Sequence, residues 1–399
     1  MPTSASSSFV EEARALADDL VELRRRLHAR PEVGLQLPDT QALLRQALAG
    51  LPLELTAGEQ LSSLTAVLRG GRPGPVVLLR ADMDGLPITE ATGLDFAATT
   101  GTMHACGHDL HAAGLVGAVR LLASRQEELP GTVIAMFQPG EEGFAGARVM
   151  LDEGVLDAAG ARPVAAYAIH VDSVLASGTV TTRPGAVMAS ASGLTVRVIG
   201  TGGHAAYPHL GVDPIPVAAE MVLALQSFVA RRVPAVDPAV VSVTGISSDS
   251  TAPNVLSSSV ELLVNIRTLS RETLALVRTR VPPLVSGIAA AHGAAVELEW
   301  ADSYPVAYND PTETEAVLAT LYELFGADRV PRMPATAMAS EDFAYVLDEV
   351  PGTLLFVGAR AAEPPPAMHS EHTVFDESVL PTQAAILAIL AWRRLAKDD

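Results

Sequence analysis

Pro75-Val76-Val77-Leu78-Leu79-Arg80 decides the fold, because a continuous apolar run without alternation marks a strand buried on both faces of a parallel sheet. Gly131-Thr132-Val133-Ile134-Ala135-Met136-Phe137 has the same character. Between them, His108 to Ser124 is rich in Ala and Leu and reads as a helix. Strand, helix, strand in that order predicts an α/β sheet with a right-handed crossover. A third run, Val164-Ala165-Ala166-Tyr167-Ala168-Ile169, ends at His170. All three deliver polar residues at their carboxyl ends, the edge where open α/β sheets bind ligands.

Upstream, apolar residues from Phe9 to about Leu48 recur at helical spacing (Val10, Ala13, Leu16, Leu20, Leu23, Leu27), and Pro31 is expected to stop the first helix. Downstream, the pattern changes between about Ala189 and Trp300. The order there is strand (Gly193 to Ile199), helix (Asp213 to Arg231), strand (Val240 to Ile246), strand (Ser259 to Thr268), helix (Arg271 to Ala291) and strand (Ala295 to Trp300). This is the split ferredoxin-like arrangement. Pro282 and Pro283 are expected to break or kink its second helix. After Tyr304 the helix and strand pattern resumes, with Glu313 to Phe325 helical, Gly352 to Val357 extended and Leu380 to Leu395 helical. The expected fold is α/β, a mixed sheet flanked by helices over 1–188 and 302–399, with an inserted α+β domain over 189–301.

With 399 residues, two domains are the expectation. No segment reaches the 18 or so uninterrupted apolar residues of a membrane helix, although 49% of the chain is apolar. The opening Met1-Pro2-Thr3-Ser4-Ala5-Ser6-Ser7-Ser8 lacks the basic start and apolar core of an export signal. A net charge of -19 opposes non-specific binding to nucleic acid or anionic lipid, which points to a small-molecule substrate. The single cysteine, Cys106, excludes an intramolecular disulfide and suits the reducing cytoplasm.

The chemistry concentrates in Met103-His104-Ala105-Cys106-Gly107-His108-Asp109-Leu110-His111. Thiolate and imidazole are ligands that Zn-like ions prefer, and Gly107 lets the backbone turn both side chains toward one centre. In Phe137-Gln138-Pro139-Gly140-Glu141-Glu142-Gly143, two adjacent carboxylates follow a buried strand and repel each other unless a cation lies beside them. One can ligate metal while the other takes a proton from the attacking water. His170 is a further ligand candidate, as is either histidine of Ala367-Met368-His369-Ser370-Glu371-His372.

These stretches resemble the M20 metallopeptidase family, in its branch of hippurate hydrolases, N-acyl-amino-acid deacylases and auxin-conjugate hydrolases. The matching segments run along nearly the whole chain and also include Arg26-Leu27-His28 to Pro31-Glu32, Arg80-Ala81-Asp82-Met83-Asp84-Gly85-Leu86-Pro87, Gly202-Gly203-His204-Ala205-Ala206 and Ser340-Glu341-Asp342-Phe343. The resemblance implies a two-metal, exopeptidase-like fold in which Cys106, His108, Glu142, His170 and His369 hold two divalent ions (Zn, Mn, Co or Ni), with Cys106 as the bridge. It implies that Glu141 is the general base toward a water shared by the ions, cleaving the amide of an N-acyl amino acid, a related small amide or a peptide. It also implies that the inserted domain is a lid and dimerisation domain, whose His204 reaches the partner subunit's site in a homodimer to stabilise the oxyanion. Asn254 and Arg267 match positions near the substrate carboxylate or carbonyl. The family usually places Gly before this Asn and Pro soon after, whereas this chain reads Thr251-Ala252-Pro253-Asn254-Val255-Leu256-Ser257, a departure that bears on substrate preference. Asp82, Asp84, His104, Asp109, His111, Glu341 and His372 are expected to support the ligands from behind.

Overall fold

A computed structural model describes residues 4–301 and 304–397. The first three residues of the amino-terminal stretch and the expected domain boundary after 301 therefore touch positions outside the described residues. The chain forms two compact units. One comprises Met1–Val187, Tyr308–Ala335 and Asp342–Asp399; the other comprises Met188–Ala307 and Thr336–Glu341. The short return of Thr336–Glu341 is held inside the second unit by the Ala189 N–H, which donates to the carbonyls of Ala337 (2.9 Å) and Ala339 (3.0 Å).

The chain begins with helices α1 (Ser4–Ala15), α2 (Ala17–His28) and α3 (Pro38–Ala47), followed by strands β1 (Glu54–Ala57), β2 (Leu64–Arg69) and β3 (Arg72–Asp82). Then come α4 (His108–Ala123), β4 (Pro130–Gln138), α5 (Gly146–Asp152), β5 (Ala165–Asp172), β6 (Val180–Thr181) and β7 (Gly185–Met188). The helix expected to run from Phe9 is interrupted at Leu16, so its apolar stripe is shared by α1 and α2. The large sheet has the order β1-β2-β4-β3-β5, continued by β15 (Gly352–Gly358) and β6. Strands β4, β3, β5 and β15 are parallel, and the flanking pairs are antiparallel. It is a mixed sheet, as expected, and its parallel centre is what the continuous apolar runs and crossover helix predict.

Alternation along the central strands assigns their faces. Val77, Leu79 and Ala81 join Val133, Ala135 and Phe137 in one buried core, which α4 covers with Leu110, Leu115, Val119 and Leu122. Each buried Leu or Val contributes about 1.5–3 kcal/mol relative to exposure. His170 is not at the end of β5, as expected, but within it. Pairing with β15 continues to Asp172↔Gly358 and extends the strand past the apolar run. Ile169 and Val171 then face the core, and alternation turns His170 to the other face.

The second unit contains β8 (Ser192–Ile199), β9 (Gly203–His204), α6 (Pro214–Arg232), β10 (Ala239–Ser248), β11 (Val255–Leu256), β12 (Ser259–Thr268), α7 (Arg271–Ala291) and β13 (Ala295–Trp300). The chain then passes through β14 (Ala307–Asn309), α8 (Pro311–Phe325), α9 (Ala344–Glu349), β15 and α10 (Leu380–Leu395). Strands β10, β12, β8 and β13 form an antiparallel sheet in that order, which gives the ferredoxin-like topology. Asp213 caps α6 by accepting from Ile215 N–H, and Ser270 caps α7 by accepting from Thr273 N–H.

Contrary to expectation, α7 runs unbroken through Pro282 and Pro283. Its core stripe explains this: Thr273, Val277, Val281, Val285 and Ala289 recur every fourth residue and are all buried. The carbonyls that lose donors to the prolines belong to Arg278 and Thr279, both exposed residues, where water can satisfy them. By length and composition α7 is also apolar enough to cross a bilayer, yet this valine stripe belongs to the second unit's core. The retained prolines still weaken the helix. Replacing both by alanine should raise the urea midpoint, with a gain of about 2 kcal/mol after allowance for the freer unfolded chain. An unchanged or lowered midpoint in denaturation curves would refute this.

Candidate metal centre

Three loops, the start of α4 and strand β5 of the first unit bring five sequence-predicted residues together. Gly107 sits at φ 85° between Cys106 and His108, just before α4. A Cβ there would lie 2.4 Å from Val171 Cγ2, so only glycine allows this turn. Cys106 Sγ is 3.4 Å from His170 Nε2. The His170 Nδ1 faces the Val171 carbonyl at 2.7 Å, which places the proton on Nδ1 and leaves Nε2 as a lone-pair donor. His369 adopts the left-handed conformation at φ 61°, uncommon outside glycine. Its N–H donates to Ala105 O (3.2 Å), and its Nε2 lies 3.3 Å from Glu142 Oε1.

The glutamate turn is held from below by one buried carboxylate. Asp84 accepts the Glu141 N–H on Oδ1 and the Glu142 N–H on Oδ2, each at 3.0 Å. Donor atoms of Cys106, His108 and His170 lie within 4.8 Å of one another, as do those of Cys106, Glu142 and His369, and those of His108, Glu141 and Glu142. Cys106 thus belongs to two donor trios, and Glu141 adjoins them.

This donor set fits divalent metal. His108 Nδ1 and Glu142 Oε1 are buried with only long contacts, to Asp84 Oδ1 (3.3 Å) and His369 Nε2 (3.3 Å), and His108 Nε2 has no well-formed hydrogen bond among the described residues, a costly state that cation ligation relieves. Burial would raise the Cys106 thiol, but His170 and His108 bring it down to about 6, so thiolate is available near neutrality. His369, hydrogen-bonded to Cys106 and Glu142, is raised to about 10. Burial opposes ionisation of Glu142, and His369 with His108 outweighs it, holding its carboxyl below the usual range. Thiol, imidazole and carboxylate together suit Zn-type ions.

Behind the ligands, the expected supports Asp82, His111 and Asp109 gather around two arginines, Arg80 and Arg24, to which the sequence reading gave no role. The buried guanidinium of Arg80 donates from Nε to Gln138 Oε1 (2.8 Å), from one terminal nitrogen to Asp82 Oδ2 (2.7 Å) and from the other to Asp342 Oδ1 (2.8 Å). Asp82 Oδ1 meets His111 Nδ1 at 2.5 Å, and His111 Nε2 accepts the Val171 N–H at 2.8 Å. Burial would raise Asp82, but Arg80, His108 and His111 hold it well below the carboxylate range. Burial depresses His111 to about 4, which agrees with Nε2 acting as an acceptor. Asp109 contacts Arg24 Nε (2.7 Å) and His28 Nδ1 (2.8 Å). The available clue was a charged residue closing an apolar strand, since a buried arginine requires anionic partners.

The remaining expected positions are distributed differently. His104 is buried, both its nitrogens lack hydrogen bonds among the described residues, and burial lowers it to about 3. His372 is exposed, with Nδ1 3.0 Å from Ala91 O. Glu341, His204, Asn254 and Arg267 belong to the second unit. Within that unit β9 and β11 pair His204 with Val255, and the Ala205 N–H donates to Asn254 O at 3.0 Å. Arg267 lies at the other end of β12's register, opposite Val240, with its Nε donating to Asn265 Oδ1.

Residues 78–393 match the model of peptidase family M20/M25/M40. N-acetylcysteine deacetylase of Bacillus subtilis is 35% identical, with 95% of this chain and 97% of that protein aligned. Thermostable carboxypeptidase 1 of Saccharolobus solfataricus is 34% identical over 95% of this chain and 96% of its own. The solved structure of the Bacillus subtilis YXEP protein, a dinuclear metal binding peptidase, superposes with a TM-score of 0.84 at 32% identity, covering 96% of this chain and all of that one. The chain belongs to peptidase family M20/M25/M40, on its amidohydrolase branch. It is a metal-dependent hydrolase of amide bonds.

Gly107→Ala adds a Cβ where none fits and forces a left-handed alanine. The variant should lose bound metal by elemental analysis while its far-ultraviolet circular dichroism stays that of the wild type. Full metal occupancy in it would show that this turn does not set the donor geometry.

Proposed function

We propose that the protein hydrolyses the amide bond of N-acyl amino acids, with Cys106, His108, Glu142, His170 and His369 holding two divalent ions and Glu141 acting as general base. The observation that carries this reading is the sharing of Cys106 between two donor trios, with the Glu141 carboxylate beside His108 and Glu142. Zn, Mn, Co and Ni all suit such donors. When bound, the ions acidify the attacking water and polarise the scissile carbonyl.

Glu141 then takes the proton of the attacking water on a carboxylate oxygen and delivers it to the leaving amine nitrogen. Its side chain is buried and its Oε1 lies 3.4 Å from the Asp342 N–H. Asp84 fixes its backbone, so the base approaches from one direction. Asn254 and Arg267 are proposed to hold the substrate's carboxylate or carbonyl. An Arg267 terminal nitrogen is buried without a partner among the described residues, as a guanidinium kept for a ligand would be. A thiolate ligand has to stay reduced, which favours the cytoplasm.

Glu141→Gln should retain metal and lose about 10²–10⁴ in kcat. Wild-type-like turnover would remove Glu141 as the base. A second reading, a carboxypeptidase or dipeptidase using the same residues, is favoured by the Saccharolobus relative. Turnover on N-acetyl and N-benzoyl amino acids, compared with dipeptides, separates the two readings.

The second unit is proposed to be a lid that pairs with a second copy and lends it His204 for the oxyanion. Edge strand β10 offers unpaired backbone groups, and Leu223 of α6 (72% exposed) and Ile246 of β10 (59% exposed) present an apolar face beside it. The double variant Leu223→Glu with Ile246→Glu should halve the mass measured by light scattering. It should also cost activity although no residue of the first unit is altered. A dimer that survives both substitutions would place the interface elsewhere.

A further inference from the structure

On the helical face of the second unit, α6 and α7 enclose a groove of about 590 Å³, within the range of roughly 300–1,000 Å³ typical of small-molecule sites. Its apolar wall is made by Phe228, Leu276, Pro283 and Leu284, and its polar groups are three guanidiniums, Arg231, Arg232 and Arg280, with Ser227.

Two features set this groove apart from ordinary solvated surface. The protein carries 46 acidic residues against 27 basic ones, and several of its exposed arginines meet carboxylates, as in Arg69–Glu54 and Arg332–Glu315. No carboxylate lines the groove, and none of its three arginines has a side-chain hydrogen bond or ion pair among the described residues. Helix α7 also has more apolar surface than its own sheet uses. Its most apolar 18-residue window is only 22% buried, and Pro283, an unfavourable residue inside a helix, stands in the groove wall.

We propose that this groove binds a small amphipathic carboxylate, a single apolar chain ending in a carboxylate group. The chain would cover Phe228 and Leu284, and the guanidinium fork matches carboxylate oxygens in a bidentate pair. The positive groove on a strongly negative protein selects anions over neutral amphiphiles. The site lies wholly in the second unit and requires none of the metal ligands, so it stands apart from the hydrolytic reading.

The test is calorimetric titration of octanoate into the metal-loaded full-length chain, with 1-octanol and acetate as probes of chain alone and charge alone. Octanoate should bind saturably and at least tenfold more tightly than either. The triple variant Arg231→Ala, Arg232→Ala, Arg280→Ala should weaken octanoate at least tenfold while kcat/KM for the amide substrate stays within twofold. Ala224→Trp, which fills the groove and keeps every arginine, should do the same. Octanoate binding that both variants leave unchanged would assign it to another site and overturn the proposal. Equal binding of octanol or acetate would overturn it as well. So would sedimentation with phosphatidylglycerol vesicles in the absence of saturable octanoate binding, which would make the face a membrane contact.

Discussion

A guanidinium buried at the carboxyl edge of a parallel sheet requires anions around it, and the metal-binding unit is organised by how that requirement is met. Arg80 takes Asp82, Asp342 and Gln138 as partners, so β3, β4 and the start of the α9 segment are fixed to one another. Asp82 in turn fixes His111, and His111 holds the backbone beside His170. Removing one member of such a buried set leaves a charge without compensation, at about 3–5 kcal/mol. Its geometry is therefore far stiffer than that of surface ion pairs.

The same economy of anchoring recurs at the donor residues. One carboxylate, Asp84, holds the amides of both Glu141 and Glu142, and a single glycine sets the spacing of Cys106 and His108. His369 reaches the cluster through a left-handed backbone and a hydrogen bond to Ala105. Donors from four distant parts of the chain therefore need little rearrangement to enclose a cation, and the bare cluster is electrostatically uneasy without one. The lowered thiol of Cys106 and the raised imidazole of His108 have one origin, since charges have been gathered where water cannot screen them.

The second unit is built by different rules. Its antiparallel sheet buries one face beneath α6 and α7, and its stability rests on the valine stripe of α7 and the apolar face of α6. Surplus apolar surface and uncompensated arginines on those helices are then available for contacts that the fold itself does not use.

Much of this was legible in order along the chain. Continuous apolar runs at Val76–Leu79 and Thr132–Phe137 determined the parallel core, because only a strand buried on both faces dispenses with alternation. The alternation and helical spacing between Gly193 and Trp300 determined the ferredoxin-like unit. Cys106, His108 and the glutamate pair stood out because reactive groups were crowded into loops. The tertiary structure decided what periodicity does not encode: that β15 extends β5 past His170, that a buried stripe carries α7 through two prolines, and that Arg80, to which the sequence reading gave no role, is the hub. Such outcomes depend on partners remote in sequence, here Asp342 and Asp82 on either side of one guanidinium, and a pattern read over neighbouring residues contains no term for them.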